Sequence, residues 1–199
     1  MQHSVTSYPE AQKLMIAVFT QLSENLITRV DDEFEDAITE TDHKKRAKLE
    51  KQRRRELADL SPISSKMYPL QVRMIHLRTN LSFLLENAHN RTSYAALAKY
   101  FAEYDFVSKR IKQHARSIKH PALVSFLERC TVLEADFFAV MTDTLANMEK
   151  CIRTRMIQCP EQYIDLDVAD DSHMDFDAVK ASMKDHKEKL KKEFAQSGA

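Results

Sequence analysis

The densest chemistry in the chain is a run of cations: Lys44, Lys45, Arg46, Lys48, Lys51, Arg53, Arg54 and Arg55 fall within twelve positions, opposed locally by Glu50 alone. Ammonium and guanidinium groups at this density bind phosphates of nucleic acid or lipid head groups, or form a nuclear-import signal, for which Lys44 to Lys48 has a suitable composition. The competing reading is a solvated helix whose charges keep it in solution. A second basic stretch, Lys109, Arg110, Lys112, Arg116 and Lys119, lies further along the chain. Whether the two share a face is a tertiary question that one dimension of sequence leaves open.

Glu86 and His89 form an E-x-x-H pair, the spacing with which ferritin-like carboxylate sites aim two ligands into a helical bundle. Glu40 and His43 repeat the spacing in a stretch with no apolar face. A dinuclear site needs further carboxylates at core positions, and Glu134 is the one fair candidate, so no metal and no cofactor is expected. His114 and His120 lie among basic residues with no acid nearby in sequence, which reads as two surface histidines. Phosphate loops need glycine, and the single glycine is Gly198. No serine has the context of a nucleophile elbow, and no cysteine neighbours a histidine in sequence. Cys130, Cys151 and Cys159 are odd in number and lack C-x-x-C spacing, the pattern of buried reduced thiols. Asn90-Arg91-Thr92 matches a glycosylation sequon, incidental without a secretory route.

These residues need elements to hold them, and composition points to helices. A body of 197 residues without glycine excludes most tight hairpins and bulges, while Ala, Leu, Met, Glu, Lys, Gln and Arg are abundant. The expected fold class is all-α, an elongated bundle of four or five helices in one domain spanning residues 1–199. Thirty basic residues balance thirty acidic ones, so no global field draws the chain to an anionic partner, and any such attraction is local. No apolar run approaches the length of a membrane span, and the N-terminus lacks the layout of a secretory signal; the expected location is the cytoplasm, with the nucleus open.

Apolar spacing sketches the helices. Met15, Phe19, Leu22, Leu26, Val30, Phe34 and Ile38 make one stripe at steps of three and four. Over 39–56 the stripe vanishes, yet nothing breaks a helix, and Glu40–Lys44, Asp42–Arg46 and Glu50–Arg54 are acid-before-base pairs at i,i+4. The expectation is therefore a long first helix with a protruding charged segment, or a linker, over 39–60. Pro62 and Pro69 place a turn or short loop between Leu60 and Pro69. Beyond it, Leu70, Met74, Leu77, Leu81, Leu84 and Ala88 form a seam; Leu97, Phe101, Tyr104, Ile111 and Ile118 form the next, ending at His120-Pro121. Ala122 to Gln158 is the most apolar segment and the expected centre of the core, with Phe137 in its stripe. An acidic loop over 160–174 then leads to a C-terminal helix over 175–196, with Phe176, Val179, Met183, Leu190 and Phe194 inward.

Long helices, neutral charge and the lack of catalytic signals favour a non-enzymatic scaffold or adaptor that binds a protein partner through helix faces and the basic helix. Two alternatives stand beside it. One is a dimeric membrane-surface scaffold of BAR-like architecture meeting anionic lipid, an analogy of architecture, and the other is nucleic-acid binding through the basic run Lys44 to Arg55.

Overall fold

A computed structural model describes residues 8–39, 42–86, 94–153 and 175–197. Among them the chain is helical with no strand, in six helices: α1 (Tyr8–Leu22), α2 (Leu26–Thr39), α3 (His43–Glu86), α4 (Tyr94–Ala115), α5 (Pro121–Arg153) and α6 (Phe176–Ser197). The all-α class stands, and the helix count exceeds the expected four or five. None of these helices is long and apolar enough to cross a membrane.

The long first helix is the main correction. It is cut into α1 and α2 at residues 23–25, because the Asn25 side chain supplies a new N-cap: its Oδ1 accepts the Ile27 and Thr28 amides at 3.1 and 3.3 Å. The chain reverses again before α3, where Asp42 Oδ1 accepts the Lys45 amide at 2.9 Å and the Asp42 carbonyl accepts the Arg46 amide at 2.8 Å. The charged segment thus opens α3 and folds back on α2 instead of prolonging α1. Two short polar side chains, each worth about 1 kcal/mol as a cap, redirect a pattern whose periodicity alone reads as continuous.

The expected turn between Leu60 and Pro69 is also absent, since α3 runs through it as a single helix of 44 residues with both prolines inside. At 1.5 Å per residue it extends about 66 Å. Packing outweighs the proline penalty. Leu60, Ile63, Met67, Leu70, Met74, Leu77, Leu81 and Leu85 are all buried at steps of three and four, so eight apolar side chains hold the helix, while Pro62 faces solvent. We expect Pro62→Ala to restore an amide donor to this helix and stabilise the protein by about 1–3 kcal/mol. Chemical denaturation checks it; an unchanged or lowered midpoint would mean that the local backbone depends on the proline ring.

The α3 and α4 helices pack side by side, with Arg73 ion-paired to Glu103, and Glu56 of α3 lies 3.9 Å from His120 in the connection between α4 and α5. The α1 helix packs on both α3 and α5, α2 on α3, and α5 on α4 as well. The core between α1, α4 and α5 is aromatic: Phe19 stacks on Tyr104 at 5.1 Å, and Phe137 meets the edges of Phe19, Tyr104 and Phe101 at 5.0–6.3 Å. The burial of α5 is confined to one face, through Leu123, Phe126, Cys130, Phe137, Met141 and Met148, whereas Val124, Val132 and Ala139 are exposed. It therefore shares the centre with α3, which touches α1, α2 and α4.

The α6 helix lies parallel to α4, joined by Phe176 edge-on to Tyr94, His186 Nε2 at 2.7 Å from Glu103 Oε2, and Phe194 against Phe106. Arg153, ending α5, stands 4.2 Å over the Phe176 ring. In α3, Leu85 is buried where Leu84 was expected, and Ala88 lies outside the described residues. The α4 helix ends at Ala115, leaving Ile118 exposed. The acidic stretch 160–174 also falls outside the described residues.

Candidate docking surface

Six of the eight expected cations in the first run are exposed without an ion pair among the described residues: Lys44, Lys45, Lys48, Lys51, Arg54 and Arg55. Lys44, Lys48, Lys51 and Arg55 recur at steps of four, three and four, which places them on one face of α3, one per turn over about 16 Å. Further along, this face meets α4, where Arg73 reaches Glu103. Opposite Ala115 α4 ends and α5 has just begun, with His120 beside Glu56. The first turns of α3 therefore run past the end of α4, packed on α2, and the stripe there is basic and exposed.

Arg53 points the other way. Its Nε donates to Asp31 Oδ1 at 2.6 Å and its Nη2 to Glu35 Oε1 at 3.2 Å, pinning α3 to α2. The hydrogen bond from Arg53 holds the Asp31 carboxyl below the usual carboxylate range, and the same pairing raises the guanidinium above its own. Arg46 is tied to Glu50 at 3.2 Å. Between α2 and α3 an open cleft of about 530 Å³ is lined by Glu35, Asp36, Thr39, Arg46, Glu50 and Arg53. Its charges are already mixed, so it has little attraction left for an ion of either sign. The cationic run is thus divided: Arg53 ties α3 to α2, Arg46 pairs with Glu50 within α3, and the stripe faces outward.

The second stretch is divided likewise. Lys109 is exposed and donates to Asp105 at 2.8 Å, Arg116 is exposed, and Arg110 is half-buried with its Nη1 donating to Gln113 at 3.2 Å. Lys112 turns inward. It is 14% exposed and ion-pairs with Glu134, whose other oxygen accepts the Tyr104 hydroxyl at 2.8 Å. The carboxylate considered above as a metal ligand is thus spent on a lysine and a phenol, and burial together with the Glu134 charge pushes the Tyr104 hydroxyl far above its ordinary value. Nearby Cys130 is pushed up to about 12 by burial first and Glu134 second, which keeps it an unreactive thiol.

Both histidines differ from the surface role expected of them. His120 is buried and caps α5, its Nδ1 accepting the Ala122 amide at 3.2 Å, which requires an imidazole unprotonated at that nitrogen. Its Nε2 lies 3.9 Å from Glu56. His114 is half-buried with Nε2 enclosed, and burial, then the charges of Arg110 and Lys66, hold its pKa below the ordinary value. Sequence reasoning missed Lys66, a single cation among serines and prolines in a stretch read as loop, although it falls on the stripe eleven residues after Arg55.

No group of three or more potential metal ligands occurs among the described residues. His89 lies outside those residues, as does the Glu86 side chain, and so do Glu40, Cys159 and the sequon. Comparison of the whole chain with known proteins finds no family model that matches it, no similar curated protein and no similar solved structure.

Proposed function

We propose that the protein is a non-enzymatic helical scaffold that docks an acidic protein partner through the basic stripe of the α2–α3 arm. The observation that carries the reading is the division of labour within one run of cations. Arg53 and Arg46 are consumed by Asp31, Glu35 and Glu50, while Lys44, Lys48, Lys51 and Arg55 are exposed in a line with no ion pair among the described residues. Holding four like charges in register is unfavourable for the isolated chain, and an acidic helix or strand laid along them offsets that repulsion. A two-helix arm with a rigid inner seam is also a suitable support, because a regular element presents its side chains more precisely than a loop.

The test replaces Lys44, Lys48, Lys51 and Arg55 together by glutamine. Each is exposed, so circular dichroism and the melting midpoint should match those of the parent. Partners captured by crosslinking in the native cell, once purified, should lose at least about tenfold in affinity, and parental binding should weaken steeply from 50 to 300 mM salt as charges are screened within about 10 Å. Undiminished partner affinity in the quadruple variant would reduce the stripe to a solubilising face. Tight, stripe-dependent binding to phosphatidylserine vesicles or to duplex DNA, with no protein partner, would replace the adaptor reading by the lipid or nucleic-acid alternative.

A further inference from the structure

We propose that the outer face of α5 receives the basic stripe of α3 from a second copy of this chain. This names the acidic partner, and so it rests on the docking role proposed above. Along α5, Glu128, Val132, Ala139, Asp143 and Ala146 recur at steps of three, four and seven, which places them on one side of the helix, with Asp136 at its border. All six are exposed. Val132, at 71%, is the most open large apolar side chain among the described residues, so no helix of the same copy covers this face.

The face is acidic without an internal counter-charge. From Pro121 to Glu149 the one base in α5 is Arg129, and it is turned to α1, where it donates to Gln21 at 3.0 Å and pairs with Glu24 at 2.7 Å. Glu128, Asp136 and Asp143 have no ion pair among the described residues. The stripe on α3 is the complement in sign and also in spacing. Lys44 and Lys51 are seven residues apart, as are Lys48 and Arg55, a step of about 10.5 Å along a helix. Asp136 and Asp143 are likewise seven apart, and Glu128 precedes Asp136 by eight, about 12 Å. Two helices laid side by side at these steps keep opposite charges facing one another along the whole stripe.

The shape between the acids suits the same contact. Ala135, Ala139, Thr142 and Ala146 are short, so the stems of lysine and arginine can lie across them and cover Val132 while the charged heads reach the carboxylates. A second copy is the occupant because both halves of the contact are carried by one chain and neither is used within it. The stripe stays exposed, and α5 packs on α1, α4 and α2. Thirty basic residues against thirty acidic ones leave no net charge to hold two copies apart. The contact joins two different patches, so each copy offers one stripe and one acidic face.

The experiment is sedimentation velocity on the purified full chain. Its mass should rise with concentration from about 2 to about 200 μM in 50 mM salt, and the association should weaken at least about tenfold in 300 mM salt. Two variants then separate the faces: the glutamine quadruple at Lys44, Lys48, Lys51 and Arg55, and a triple, Glu128→Gln with Asp136→Asn and Asp143→Asn. Every substituted side chain is exposed, so circular dichroism and melting should match the parent. Each variant alone should stay monomeric. An equimolar mixture should associate and stop at pairs, because the quadruple variant keeps the acidic face and the triple variant keeps the stripe. A parent that is monomeric throughout, association that persists in either variant, or a mixture that does not pair would each overturn the proposal. If the parent is monomeric while the quadruple variant still loses a partner captured in the cell, the docking role stands and the second copy is the wrong occupant. Association and capture both undiminished in the quadruple variant would end both readings.

Discussion

Replacing Lys112 by methionine should cost about 3–5 kcal/mol of folding stability, because it leaves the Glu134 carboxylate buried with only the Tyr104 hydroxyl for company. The pair sits between α4 and α5, with side chains 14% and 5% exposed, so water cannot take over the lost partner. The expectation becomes sharper in a double variant. In Lys112→Met with Glu134→Leu both charges disappear together, and most of the loss should be recovered, since a well-packed apolar pair is commonly as stable as the ion pair it replaces. Urea unfolding of the two single variants and the double one gives the coupling energy. Additive losses would show that the two side chains are solvated independently and that the contact between α4 and α5 is weaker than its geometry indicates.

The second large effect is expected at Phe137. Its ring is fully buried and meets Phe19, Phe101 and Tyr104, joining α1, α4 and α5 at one point. Phe137→Ala should therefore cost about 3–5 kcal/mol, the lost transfer free energy together with a cavity that three helices cannot close. Leu49→Ala, half-buried on the projecting arm, should cost no more than about 1 kcal/mol. Equal shifts of the denaturation midpoint would contradict this ranking of burial and place the stabilising contacts in the arm.

Together these tests separate what maintains the fold from what is free to act on a partner. Lys112 and Arg53 look from composition like members of the same docking surface as Lys48 and Arg55, but they are ion-paired to Glu134 and to Asp31 and Glu35. A charge-removal scan that ignored this would mistake an unfolded or loosened arm for lost binding.

The all-helical class and the burial of Phe19, Leu70, Tyr104 and Phe137 were legible from composition and spacing, whereas the buried Leu60, Ile63 and Met67 fell in a stretch read as a loop. Periodicity of 3.6 is a local consequence of backbone geometry, and the lack of glycine removes the competing turns. The cationic run was legible as well, as a density of charge. Its division was not. Which side of a helix is covered depends on its neighbours in the fold, and the stripe lies on the part of α3 that runs past Ala115, where α4 ends.

The helix boundaries failed for a related reason. A cap such as Asn25 or Asp42 contributes about 1 kcal/mol and resembles any other polar residue, yet it decides where the chain turns. Pro62 and Pro69 mark a break by every local rule, but eight buried side chains from Leu60 to Leu85 outweigh them. Nothing in the spacing joins Arg73 to Glu103 or Lys112 to Glu134, since each pair is separated by tens of residues and is made by the packing of different helices. Sequence by itself determined the all-helical class and most of the apolar positions, because those depend on neighbours three and four residues away. The tertiary structure alone decided which charges are paired inside and which remain for a partner, because burial is a property of the assembled helices.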